Sequence, residues 1–272
     1  MQINALLASY GAVPSVPKVM ALLLTELNQP APDLLRIKRF VAADPGLTCR
    51  VLQVANADAA DHAGTVTGVN EAVDLLGVSR LQALGQAAAT AAASVVVPGV
   101  GMQQFWRVSL NAAKVARALA RQIGSDPTAA FTCGMLHGIG EMIMHLGMPQ
   151  ATAALDHTVA PFQFGRDRAE EQAFGYSYAL VSAELASKWR FPQVIVTALR
   201  YHLDPFGRDV YEPLTGVVHL AAWRARAVEA NFTPQQYAVE FPYTVGLALG
   251  LDIDMVLQQE PVEWRTGYED TN

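Results

Sequence analysis

Apolar residues recur along the chain at three- and four-residue intervals, and no stretch alternates with period two between hairpin turns. This pattern predicts an all-α protein. Val19, Met20, Leu23, Leu24 and Leu27 share one face of a helix over Lys18–Leu27, with Ser15 as cap and Pro17 in the first turn. Asp33 is placed to cap a helix over Leu34–Ala43. Asp44 and Pro45 end that helix and open another, carrying Leu47, Val51, Leu52 and Val54 to Asn56, because proline cannot continue the donor ladder but suits a first turn. Asn70 is placed to cap a short helix through Leu76, and Gly77 to stop it in a left-handed conformation. Ser79 then opens an alanine-rich helix from Arg80 to about Val96. Pro98, Gly99 and Gly101 form the strongest break, which divides the chain into lobes of residues 1–98 and 99–272.

Beyond that break, a helix over Gln103–Ile123 ends at Gly124, and Ser125, Asp126 and Pro127 launch the most apolar segment, Ala130–Leu146. Within it Leu136, Ile139, Ile143 and Leu146 follow helical spacing, Met135 and Met142 widen the stripe, and His137 lies at its margin. One buried face is expected. After Pro149 come a shorter helix, a loop with Pro161 and Gly165, and a charged turn, RDRAEEQAFG. Ser177 caps a helix to Trp189, Pro192 restarts one towards His202, and Pro213 begins one holding His219 and Trp223. Thr233 with Pro234, and Asp252, mark two further starts before a loose EDTN tail.

Composition narrows the function classes. With 51% apolar residues in 272, the chain has ample material for a large core. A net charge of −6 argues against nucleic acid as partner, since such binders carry a basic excess. The basic clusters Arg36, Lys38, Arg39 and Arg224, Arg226 read as solvated helix faces. Cys49 and Cys133 read as buried thiols of a reducing compartment. The start, MQINALLASYG, lacks the pattern of a signal peptide. The charge-free run Leu81–Phe105 is too rich in alanine, with Gln86, Thr90 and Ser94, to suit a membrane. A cytoplasmic protein without a membrane partner is expected.

Candidate chemistry centres on His137. A carboxylate immediately after it would make a metal-clamping pair, but the next residue is Gly138. If the helix is unbroken, Cys133, His137, Glu141 and His145 drift along one face, and neighbours at i and i+4 could share an ion. All four cannot meet at one ion, because each step rotates by about 40°. A Cys133 nucleophile activated by His137 lacks an oxyanion donor set, so core packing is expected instead. Gly99-Val100-Gly101 is too short for a phosphate loop, and no lysine follows it. Phe105, Trp106, Trp189 and Trp223 read as core and lobe-interface anchors.

Taken in order, the blocks VPSVPKVMALLLTEL (Val13–Leu27), IKRFVAADPGLTCRVLQVANA (Ile37–Ala57) and VNEAVDLLGVSRLQAL (Val69–Leu84) resemble the HDOD family, the HD-related output domains of bacterial signalling. Later come Phe105-Trp106, Gly134-Met135-Leu136-His137 with Ile139-Gly140, Trp189, Phe191-Pro192 and Tyr201-His202. Ala57 departs from the serine common in the family. The resemblance implies an N-terminal helical bundle and a C-terminal degenerate HD-like lobe, together one HDOD domain. It also implies descent from metal phosphohydrolases whose ligand positions fall on Val108, His137-Gly138, Tyr178, Tyr201-His202 and Ala222. His137 and His202 keep an imidazole there, His219 survives three residues before Ala222, and with Glu141 these make a candidate vestigial cleft. No catalytic, metal or cofactor residue is assigned. The expected function is a non-catalytic signal-transduction module, with bacterial regulatory proteins as partners or a small ligand in the inter-lobe groove. The alternative is a metal-dependent phosphohydrolase with a rebuilt site around His137, His202 and His219. The oligomeric state stays open.

Overall fold

Prolines and capping acids start many of the helices. In a computed structural model, described over residues 2–9, 13–57, 64–92, 96–207 and 209–252, all regular structure among the described residues is helical. The first half comprises α1 (Ile3–Ser9), α2 (Pro17–Leu27), α3 (Leu34–Ala42), α4 (Pro45–Ala57) and α5 (Val69–Ala92). Asp33 caps α3 by accepting from the Leu35 and Arg36 amides. Pro17 sits in the first turn of α2, but the cap position is Val16 and no side chain caps it. Ser15 is therefore not the cap expected. Asp44 instead spans the α2 and α4 starts, accepting from the amides of Val16 and Leu47. Helix α5 begins at Val69, one residue before the cap expected at Asn70. It kinks at Gly77, whose φ of 68° is the left-handed conformation foreseen for a stop. Its end towards Val96 lies outside the described residues.

The second half comprises α6 (Met102–Gln122), α7 (Pro127–Leu136), α8 (Ile139–Gly147), α9 (Pro149–Asp156), α10 (Arg166–Phe174), α11 (Tyr178–Lys188), α12 (Gln193–Tyr201), α13 (Pro213–Glu229), α14 (Pro234–Glu240) and α15 (Tyr243–Ala248). Three expectations fail. RDRAEEQAF is helix α10, not a turn, and α15 carried no clear start signal. Ala130–Leu146 is two helices, α7 and α8, broken at His137-Gly138. It is also buried on every side from Thr132 to His145, so its pattern reports a central position and not one buried face. The helix expected to follow Asp252, and the tail beyond it, lie outside the described residues.

α2, α3, α4 and α5 pack on one another. α6 packs on α7 and α13, α11 packs on α8 and α12, and α4 joins the halves through α6 and α7. Although first in the chain, α1 lies against α8 and α11, and the Lys188 ammonium donates to the Leu7 carbonyl at 2.9 Å. The α6–α7 contact is backbone to backbone: a Cβ on Gly134 would sit 2.6 Å from Ala113 Cα. This crossing carries α7, and with it His137, into the centre of the molecule.

Candidate functional site

Gly140 sets the geometry at the helix break. A Cβ there would lie 2.0 Å from the Tyr178 carbonyl oxygen and 2.9 Å from the Ser182 amide, so α8 reaches α11 with no side chain between them. Ser182 Oγ accepts from the Gly140 amide at 2.9 Å. It also lies 3.0 Å from the His137 carbonyl and 2.9 Å from that of Tyr178, to one of which it donates. The polar groups released by the break thus find a partner inside the protein, as buried backbone requires. The stripe Cys133, His137, Glu141, His145 consequently has no continuous helix beneath it. Cys133 is fully buried, and burial pushes its thiol upward, away from the reactive thiolate.

His137, His202 and His219 gather around the end of α12. His137 Nδ1 is 2.7 Å from the Gly134 carbonyl, His202 Nδ1 is 2.8 Å from Leu199 O, and His219 Nδ1 is 2.7 Å from His202 O. A carbonyl only accepts, so each Nδ1 carries the proton and each neutral ring keeps its lone pair on Nε2. The His137 and His202 rings are perpendicular, with centroids 5.9 Å apart. His137 Nε2 is buried without a partner. Burial, assisted by the nearby Arg226 charge, pushes His137 down to about 4. His202 is driven well below the usual histidine value by burial and by His137, and burial lowers His219.

The same space holds two groups that set its character. Tyr178 OH lies 3.5 Å from His202 Nε2 and accepts a hydrogen bond from the Arg226 guanidinium, which also lies 5.1 Å from the phenol ring centroid. Arg226 was expected on a solvated face. It is instead buried in the core, its Nε without a partner, because α13 turns that side towards α11. The neighbouring Arg224 keeps partial exposure.

Glu141 joins a different cluster. Its Oε1 lies 3.0 Å from Nε of the fully buried Arg166, as does Oε1 of Glu170. The Glu141 contact is electrostatic, without hydrogen-bond alignment. Arg166 also reaches Asp156 at 2.8 Å, Asp156 lies 3.1 Å from His145 Nε2, and Glu170 accepts from the Tyr178 amide at 2.7 Å. Glu141 and Glu170 thus meet as like charges at one Arg166 nitrogen. Burial raises both carboxyls, and the like charge of Glu170 raises Glu141 further. Sequence reasoning missed Arg166, Glu170 and Asp156. The one available signal was the i, i+4 spacing of Arg166 and Glu170, which has meaning only once RDRAEEQAF is a helix.

A divalent ion needs several convergent anionic or neutral donors. The cluster offers imidazole lone pairs and a phenol, with a fixed guanidinium beside them and no carboxylate hydrogen-bonded to the three rings among the described residues. No group of three or more His, Cys, Asp or Glu there could hold a metal. The residues present do not fit an HD-type metal centre. Val108 is buried against Ala112 and Ala225, and Ala222 is buried as well.

A family profile for the HDOD domain matches residues 13–205. The chain belongs to the HDOD family. The HDOD chain superposes on the MmoQ response regulator of Methylococcus capsulatus with a TM-score of 0.72 at 21% identity, covering 92% of this chain and 98% of that one. It is similar to a virulence factor of Campylobacter jejuni (TM-score 0.68, 17% identity, 94% of each chain). It is also similar to a Shewanella amazonensis protein provisionally assigned as a phosphohydrolase (TM-score 0.54, 27% identity, 93% and 91% covered). A curated relative, an uncharacterized protein of Treponema pallidum, is 22% identical over 229 residues. The match takes in 82% of this chain but 44% of the relative, so the HDOD chain spans under half that protein's length. No described helix is long and apolar enough to cross a membrane.

Proposed function

We propose that this HDOD protein is a non-catalytic signal-transduction module that acts by binding regulatory proteins or a small ligand. The observation that carries the reading is the Arg226–Tyr178 pair beside His137 and His202. A buried guanidinium repels a second cation. It holds a proton permanently at neutral pH, so it supplies neither a metal ligand nor a general base. Gly138 supplies no carboxylate to compensate. The likeness to a protein named a response regulator agrees with a signalling role, as does the family itself.

One feature favours the phosphohydrolase alternative: all three imidazoles present the tautomer with a bare Nε2, the form that ligates metals when a carbonyl holds Nδ1. The two readings separate in one experiment. Protein purified without added ions is analysed for metal and assayed against phosphomonoesters and cyclic dinucleotides with manganese or magnesium. The expected result is no stoichiometric ion and no turnover. Hydrolysis abolished by chelator and by His137→Ala would overturn the non-catalytic reading.

A further inference from the structure

The segment 157–165, between α9 and α10, passes in front of the α7–α8 break. Its other residues are exposed or half-buried, whereas Phe162 is 5% exposed. The Phe162 ring packs on Phe105, with centroids 6.0 Å apart, and its Cε1 lies 3.8 Å from where a Cβ on Gly138 would stand. A side chain at residue 138 would grow from that point towards the ring. Phe162 thus takes up room that the missing side chain leaves.

Two features set this contact apart from ordinary packing. Phe162 has φ 64°, the left-handed region that bulky residues rarely adopt, so the backbone is strained at the point where the ring is buried. The segment is also held differently at its base and in its middle. Arg166, the first residue of α10, donates to the Val159 carbonyl and to Asp156 at the end of α9, while Glu141 and Glu170 fix the guanidinium. Further along, the Ala160 amide donates to Gln163 Oε1 and the Gln163 amide to the Ala160 carbonyl, both within the segment. Rings tie this middle to the rest of the protein: Phe162 points inward, and Phe164, 42% exposed, stacks on Phe232 past the end of α13, with centroids 5.4 Å apart. Burial of the Phe162 ring favours the closed position and the backbone strain opposes it, so a small perturbation shifts the balance.

We propose that residues 157–165 form a strap, anchored at both ends through Arg166, whose middle swings outward and withdraws Phe162 from the break. Opening uncovers the neighbourhood of His137. Nε2 of that ring, an acceptor, and Nε of Arg226, a donor, are both buried without partners. A small ligand suited to the two carries a donor and an acceptor together, as a hydroxyl group does. As a route for such a ligand, the strap rests on the binding reading above. Chelator-sensitive turnover would sink that reading and leave the strap standing.

The test places a thiol beneath the ring with Gly138→Cys and treats the intact protein with methyl methanethiosulfonate. Cys133, fully buried in α7, is the internal control, because wider unfolding is needed to expose it. Mass mapping of peptides follows both thiols. The one at residue 138 should react at least about tenfold faster than Cys133. Phe164→Ala, which gives up the stack on Phe232, should raise the first rate severalfold and leave the second unchanged. Chymotrypsin needs no substitution at the break: it should nick the parent protein after Phe162 or Phe164 before it cuts α7 or α8. Equal labelling of the two thiols, a rate at residue 138 indifferent to Phe164→Ala, or first cuts within α7 or α8 would each show that the segment is fixed packing and not a strap.

Discussion

The Arg226 guanidinium donates to the Tyr178 hydroxyl in the middle of the protein, and among the described residues no carboxylate is bonded to it. A buried charge with one neutral partner carries a desolvation cost that its contacts only partly offset. Arg226→Met removes that charge and orphans little, since Tyr178 can still donate to His202 Nε2. It should change stability by no more than about 1 kcal/mol. Tyr178→Phe instead strands the guanidinium and should cost about 1.5–3 kcal/mol. Urea unfolding of both variants checks the order, and an arginine variant weaker than the tyrosine one would mean the charge is better compensated than these contacts indicate.

The three histidines make the fold acid-labile. Their folded-state pKa values lie below the ordinary 6.5, His137 at about 4. Between these limits the unfolded chain binds protons that the folded chain excludes, so stability falls as pH falls. Each excluded proton contributes about 1.4 kcal/mol per pH unit. Asp44, pushed up to about 6 by burial, works in the opposite sense, because there the folded state is the one that holds the proton. His137→Asn, whose amide nitrogen can replace Nδ1 towards Gly134, should flatten the curve between pH 6.5 and 4 by about one proton. Denaturation midpoints across that range measure it.

The Glu141–Glu170 pair has the reverse sign. Both carboxyls are raised above their ordinary 4.5, so ionising the pair in the folded state becomes costlier as pH rises through and above that value. Glu141→Gln removes the like charge beside Glu170 while keeping the side chain's shape. It should match or exceed the parent's stability at pH 8, with a smaller advantage at pH 5. Arg166→Met leaves the carboxylates without their cation and should cost about 3–5 kcal/mol. Thermal melts at the two pH values distinguish these outcomes.

Two neighbouring glycines should respond oppositely. Gly140→Ala drives a methyl group into the Tyr178 carbonyl and should cost about 3 kcal/mol or more. Gly138 has φ −95°, open to any residue, and its nearest obstacle is Phe162 Cε1 at 3.8 Å. Gly138→Ala should therefore stay within about 1 kcal/mol of the parent. Equal losses in the two variants would mean that α8 does not lean on α11 as closely as this packing requires.

Helix starts were legible because they depend on neighbours in sequence. Asp33, Asp126 and Thr233 each cap through amides two or three residues on, and Gly77 takes a conformation that its missing Cβ allows. The family blocks were legible for a related reason, since each lies within one helix or across one turn. The α7–α8 break was not, because apolar spacing runs unbroken through it and only the Tyr178 and Ser182 backbone, more than thirty residues away, dictates the close approach at Gly140.

The sequence by itself determined an all-helical chain of the HDOD family, with His137 beside a glycine where a carboxylate would be needed. Tertiary structure alone decided that Arg226 and Arg166 point inward. On a lone helix an arginine faces water by default, and burial becomes tolerable only when other helices bring partners: Tyr178 for Arg226, and Glu141 with Asp156 for Arg166. No local pattern records those meetings, so the electrostatic character of the core follows from the way the helices pack.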